Sequence, residues 1–188
     1  MFGQVITTLA SFAIFAVVVS LTVGVALALR PGREHLARLL GTGGRELLIG
    51  AWAVAAIATA GSLYLSGSGL EPCRLCWYQR IAMYPLVVIL GVAVLRRDIG
   101  VWRYALPLSV TGGLISVYHA VVQLRPALEL TECAVGVPCT LRYFAVFGFI
   151  SIPWLAGAAF LWITTLVTAA AILARRSSHP DAPSSARP

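Results

Sequence analysis

Charge is what this sequence has least of. Only 11% of its 188 residues are charged, against about 25% in an ordinary soluble domain. Hydrophobic residues make up 59%. That balance excludes a soluble globular domain and makes lipid the solvent for most of the chain. Lysine is missing altogether, so all fourteen basic residues are arginine. The formal charge of +7 sits at the ends of apolar runs. Such placement is a membrane-topology signal and not a nucleic-acid footprint, so no nucleic acid is expected as a partner. Alternating segments of about ten residues, the mark of a membrane β-barrel, are also missing.

What is present is five apolar segments. They run from about Val5 to Leu29, Leu47 to Leu65, Trp77 to Leu95, Val101 to Leu124 and Phe147 to Ala174. Each is near or above the roughly 18–20 residues that cross a hydrocarbon core. Backbone in lipid must satisfy its own hydrogen bonds, so the segments are expected to be helices. The expected fold is an all-α integral membrane protein: a four-helix transmembrane bundle plus one extra N-terminal transmembrane helix. Residues 1–29 form the extra helix, 30–45 a basic cytoplasmic loop, 46–175 the four-helix domain and 176–188 a disordered Pro/Ser-rich tail.

Arginine placement sets the orientation. The segments 30–46, 96–103 and the tail hold ten arginines against four acids, whereas the other two loops hold four against three. By the positive-inside rule the first set is cytoplasmic. Residues 66–76 and 125–146 then lie outside, with the amino terminus outside and the carboxyl terminus cytoplasmic. Ala26-Leu27-Ala28 resembles a cleavage site. Yet residues 1–4 carry no basic charge, and the apolar run exceeds the about 7–15 residues of a signal core, so the first helix is read as uncleaved.

This topology puts all four cysteines on one face. Cys73 and Cys76 end one outer loop; Cys133 and Cys139 lie in the other. Outer compartments permit disulfides, and the even, one-sided count favours the pairs Cys73–Cys76 and Cys133–Cys139. A Cys-x-x-Cys loop is too short to be a useful staple. At a helix start it is well suited to chemistry, because free backbone N–H groups stabilise a thiolate. Cys76, immediately before the third segment, is the expected thiolate, with Arg80 one turn on and on the same face. An ionised residue inside a membrane boundary marks a site or snorkels to the headgroups. Sharing a face with the thiolate favours the site. The second pair, in "TECAVGVPCT", is either a loop staple or an exposed disulfide open to attack by another thiol. His119 alone reads as a hydrogen-bonded interior histidine, and Gln123 alone as interhelical glue.

These residues resemble a known family. "PCRLCWYQR" followed by a membrane helix, "YHAVVQ" in the next helix, a later outer cysteine pair and "FGFISIPWL" opening the last helix are similar to the disulfide-bond formation protein B family, DsbB, and its Gram-positive BdbC members. The resemblance covers about residues 46–175. It implies an enzyme, a quinone-dependent protein-disulfide oxidoreductase of a bacterial inner (plasma) membrane. Such an enzyme reoxidises an extracytoplasmic DsbA-like thiol oxidase and feeds the respiratory chain through a quinone, ubiquinone or menaquinone. The resemblance makes Cys73 and Cys76 the quinone-coupled pair, with Cys76 nearest the ring and Arg80 polarising a quinone carbonyl. Cys133 and Cys139 become the shuttle pair, Cys133 being the sulfur attacked by the partner. His119 and Gln123 flank the quinone. The fifth helix and the close spacing of the loop pair depart from the family pattern, the latter resembling BdbC.

Two other functions stand beside this one, and no metal ligand is assigned. Four cysteines suit a tetrahedral zinc site, but a membrane hairpin separates the pairs and no outer histidine lies near them in sequence. A scaffold with two structural disulfides would keep both pairs oxidised in the presence of a reduced partner. Vitamin K epoxide reductase-like proteins use a similar bundle but place their loop cysteines before the Cys-x-x-Cys pair, not after it.

Overall fold

A computed structural model describes residues 44–129, 137–147 and 150–177, together with 7, 11, 14, 15, 17–25 and 29 near the amino terminus. Four helices are long and apolar enough to cross a membrane. They are α1 (Gly44–Gly67), α2 (Arg74–Arg96), α3 (Trp102–Leu124) and α4 (Ile152–Ser177). Short 3₁₀ turns at Ile99–Val101 and Pro126–Leu128 flank α3. No named strand occurs among the described residues.

Each helix packs on its neighbours around a ring: α1 on α2, α2 on α3, α3 on α4 and α4 back on α1. Diagonal contact is slight. The seams follow the alternating three- and four-residue spacing of left-handed bundles. On α2 the seam is Leu75, Gln79, Ala82, Leu86, Leu90 and Ala93. On α3 it is Ala105, Ser109, Gly112, Ser116, His119 and Gln123. Lipid gives helices no hydrophobic reason to associate, so small residues and hydroxyls supply close packing and hydrogen bonds. Thr164 of α4 and Ser109 of α3 are hydrogen-bonded at 2.9 Å. The outward faces carry Ile57, Ile81, Val88, Leu95, Leu114 and Val117, all exposed, as lipid requires.

Two boundaries differ from those read in the sequence. The third apolar segment starts at Arg74, not Trp77, because Cys73 caps the helix. The fifth becomes helical at Ile152, not Phe147. Val146 and Ile150 pair their backbones in an isolated antiparallel bridge, and Phe147 takes a positive φ of 53°. Pro153 then sits in the first turn of α4, where its missing N–H costs nothing. Of the expected amino-terminal helix, residues 17–25 are helical; the loop 30–43 and the tail 178–188 lie outside the described residues.

Candidate functional site

Cys73 is the N-cap of α2. Its backbone is extended, and its sulfur accepts the backbone N–H of Cys76 at 3.4 Å. Serine, threonine or aspartate usually fills this place; here a sulfur receives the orphan donor. The sequence placed Cys76 immediately before this helix; it lies inside the first turn instead, and the capping sulfur is that of Cys73. The two side chains are free thiols, not the disulfide expected, with their Sγ atoms hydrogen-bonded at 3.1 Å. Cys73 is buried and Cys76 half-buried.

The histidine one seam away completes the cluster. His119 is 1% exposed. Its Nε2 lies 3.6 Å from Cys73 Sγ and 3.1 Å from the carbonyl oxygen of Cys139. Its Nδ1 lies 3.2 Å from Nε2 of the buried Gln79. An amide nitrogen only donates, so in this arrangement Nδ1 accepts and the ring proton is on Nε2. That proton faces the Cys139 carbonyl and the Cys73 sulfur together.

Cys139 is fully buried and disulfide-bonded. Cys133 lies outside the described residues. The loop carrying Cys139 is held from α3: Gln123 donates Nε2–H to the Leu141 carbonyl at 3.1 Å, and its Oε1 accepts the Ser151 hydroxyl at 2.5 Å. Arg142 donates to the Gln123 carbonyl. Across the loop, the Tyr143 hydroxyl donates to the Glu71 carbonyl at 2.8 Å, tying it to the turn before α2. Both ends of the Gln123 amide are thus engaged in fixing the loop.

Arg80 turns toward α1. Its Nη2 donates to the Ser62 carbonyl at 3.1 Å and to Ser66 Oγ at 2.6 Å, and its guanidinium lies over Trp77 at 5.2 Å. Ser62 and Ser66 belong to the last turns of α1, the negative end of that helix dipole, where a cation is favoured. This is a structural reason for an arginine at the mouth of a membrane helix.

The structure therefore brings Cys73, Cys76, His119 and Cys139 together, with Gln123 one turn beyond and Arg80 on the α1 side. Sequence reasoning assigned no role to Gln79 or Ser151. The available signal was a polar residue in an apolar helix, which in lipid is a site by default.

Charge at Cys73 follows from these contacts. The hydrogen bond from Cys76 lowers its pKa most; burial opposes this; the hydrogen bond from His119 adds to the lowering, bringing it from 9.0 to about 4. The lowered pKa favours the thiolate, the nucleophilic form. Because the folded pKa is depressed, its contribution to stability is complete above about 9 and is lost as pH falls through about 4. Alkylation of the dithiol protein, followed by mass spectrometry across pH, should show Cys73 reacting with a midpoint near 4. In His119→Ala that midpoint should rise. A midpoint near that of a free thiol in the native protein would contradict this account.

A cavity of about 10 Å³ adjoins the cluster, lined in part by Cys73, Cys76, His119, Pro138 and Arg142. That is room for about one water molecule.

Residues 44–174 match the family described as DsbB, disulfide bond formation protein DsbB. A probable disulfide formation protein C 2 of Bacillus anthracis is 49% identical over 118 residues, 62% of this chain and 84% of the relative. The disulfide bond formation protein C of Bacillus subtilis (strain 168) is 48% identical over 118 residues, 62% of this chain and 86% of the relative. A probable disulfide formation protein C of Halalkalibacterium halodurans is 49% identical over 120 residues, 63% of this chain and 88% of the relative. No solved structure matches.

Proposed function

The chain belongs to the DsbB family of membrane disulfide bond formation proteins, and from that premise we propose that it reoxidises an extracytoplasmic DsbA-like dithiol oxidase and delivers the electrons to a membrane quinone. The observation that carries the reading is the free Cys73–Cys76 pair lying against a disulfide-bonded Cys139, with His119 touching both.

The reaction is two disulfide exchanges in series. The reduced partner's thiolate attacks the Cys133–Cys139 disulfide, and its second thiolate resolves the mixed disulfide. The partner leaves oxidised, and the loop holds two thiols. These then reduce a Cys73–Cys76 disulfide and re-form their own bond. Each exchange breaks one S–S bond, makes one, and moves two electrons and two protons inward.

The enclosed cavity takes a water and not a quinone ring. A quinone would instead lie on the open side of α2, a reading supported by half-buried Cys76 beside exposed Trp77 and Tyr78, with Arg80 one turn on. A bound quinone supplies a two-electron, two-proton sink as the Cys73–Cys76 disulfide re-forms. Cys76 and Arg80 would hold it, the guanidinium favouring negative charge as it develops. His119 acts on Cys73, holding a proton at Nε2 beside the sulfur. Gln123, with Ser151, keeps the Cys139 loop within reach, which answers how a short loop meets the inner pair.

The proposed site faces out of the cytoplasm, with the carboxyl terminus inside, as the arginine distribution supports. Residues 1–29 are proposed as a fifth membrane helix. Buried Ser20, and an apolar cavity that Val19 and Val23 line with Leu47, Trp162 and Leu166, support its docking against α1 and α4.

The test is a coupled assay of purified protein in lipid with a reduced DsbA-like partner and a short-chain ubiquinone or menaquinone. One quinone should be reduced for each partner disulfide made. Partner oxidation with no quinone consumed under anaerobic conditions would reject the proposal.

A further inference from the structure

The fold supplies what the sequence did not show, a histidine beside the inner cysteine pair. Cys73 Sγ, Cys76 Sγ and His119 Nε2 or Nδ1 lie within 4.8 Å of one another. We propose that the dithiol form of the protein is a binding site for one thiophilic divalent cation of the zinc type, held by Cys73, Cys76 and His119, and that the bound cation arrests turnover.

Three observations carry this. The first is geometry. Tetrahedral zinc with bonds of about 2.3 Å to sulfur and about 2.0–2.1 Å to nitrogen sets an S–N edge of about 3.6 Å and an S–S edge of about 3.8 Å. Cys73 Sγ and His119 Nε2 already stand 3.6 Å apart. The two sulfurs, at 3.1 Å, need to part by only a fraction of an ångström. The second is the space beside them: the adjoining cavity of about 10 Å³ is lined by all three residues. It has room for the single water that completes a three-ligand site.

The third is the outer shell. To ligate through Nε2 the imidazole must carry its proton on Nδ1 instead. Nδ1 faces the amide of Gln79 at 3.2 Å. Turning that amide presents Oε1 in place of Nε2, so one residue serves both tautomers. Two thiolates, a neutral imidazole and a divalent cation sum to zero charge, which suits a half-buried site at a membrane boundary. Binding displaces the remaining thiol protons to solvent and changes no oxidation state.

The site exists in one redox state only. A Cys73–Cys76 disulfide has no thiolate to offer. Conversely, a cation on both sulfurs prevents that disulfide from re-forming, which is the step each cycle needs. The consequence for turnover rests on the oxidase reading above; the binding itself does not.

The experiment is calorimetric titration of zinc into Cys133→Ala/Cys139→Ala protein, whose only thiols are Cys73 and Cys76. Cobalt is the spectroscopic probe of thiolate ligation. One cation per chain is expected in the reduced protein, bound at least about a hundredfold more tightly than in the oxidised protein. His119→Ala and Gln79→Ala should each weaken binding by about tenfold or more. Equal binding by reduced and oxidised protein, or binding untouched by His119→Ala, would overturn the site. The same comparison on native chain with two titratable thiols needs no folded variant. Zinc should also stop quinone-coupled turnover, and a chelator should restore it. Turnover unaffected by zinc overturns the arrest. Turnover in zinc-free native protein is read in parallel: its absence with zinc uptake intact counts against the oxidase reading alone. Turnover without uptake counts against the cation site alone.

Discussion

Replacing Cys73 with serine is expected to leave the bundle folded and remove turnover, by on the order of a thousandfold or more. Serine is a preferred N-cap, so its hydroxyl can take the Cys76 N–H that the sulfur now accepts at 3.4 Å. The start of α2 should survive with its chemistry gone. Cys76→Ser is expected to lose as much turnover, because a single thiol cannot close the inner disulfide. The two variants should differ in what accumulates. In both, the partner still reduces the loop disulfide, since that exchange does not involve α2. With Cys73 kept and Cys76 gone, Cys73 can still attack the oxidised loop disulfide, giving a mixed disulfide and one free loop thiol, and without Cys76 no inner disulfide can form to carry the exchange forward. Quinone-coupled partner oxidation, with thiol trapping and mass spectrometry, measures both effects. Turnover within tenfold of native in either variant would refute the assignment of this pair.

The second large effect is on stability, where α3 crosses α4. A Cβ built on Gly112 would lie 2.3 Å from Cε1 and Cζ of Phe160 and 2.8 Å from Cε2. Phe160 is 1% exposed and packs in the core, so its ring has no free space to enter. Gly112→Ala is expected to cost about 1–3 kcal/mol, as overpacking does. Phe160→Ala should cost about 3–5 kcal/mol through the cavity left behind. The two sites touch, so Gly112→Ala with Phe160→Leu should be less damaging than the sum of the singles, by about 0.5–3 kcal/mol. Gly61, where a Cβ meets nothing, is the control. Gly61→Ala should stabilise α1 slightly, because alanine is the better helix former. Thermal unfolding in one detergent reads native protein, these four variants and the Phe160→Leu single that the sum requires. Additive losses at Gly112 and Phe160 would show that the close approach is not a constraint.

Much of this was legible from residues alone because lipid is an exacting solvent. A backbone that must bond to itself leaves helix as the reading of each long apolar run, and among the described residues four runs are helices long and apolar enough to cross a membrane. Polar residues within those runs were legible for the same reason. His119 and Gln123 stood out, and each proves buried and bonded. Gln79 carried the same signal but received no role, because one dimension does not show that it lies across from His119.

Helix boundaries were less legible where a local contact outweighed hydropathy. A sulfur cap moved the start of α2, and a bridged turn delayed α4 within an unbroken apolar run. The partners of Arg80 were not legible at all. The spacing puts Arg80 on the face of Cys76, yet its Nη2 bonds to Ser62 and Ser66 of another helix.

By itself, then, the sequence determined that the protein lives in a membrane, that its four core helices are long and apolar enough to cross it, and which family it resembles. The first two follow from composition and the length of the apolar runs, which are properties of one chain in one solvent; the third rests on the resemblance of its motifs to the family. Tertiary structure alone decided that Cys73 is the capping sulfur of α2, with its pKa lowered by its contacts with Cys76 and His119. It also decided that His119 stands between Cys73 and the Cys139 carbonyl, and that Gln123 holds the loop. Charge and proton position depend on distances of a few ångströms between residues remote in sequence, and only packing the seams of α2 and α3 together sets those distances.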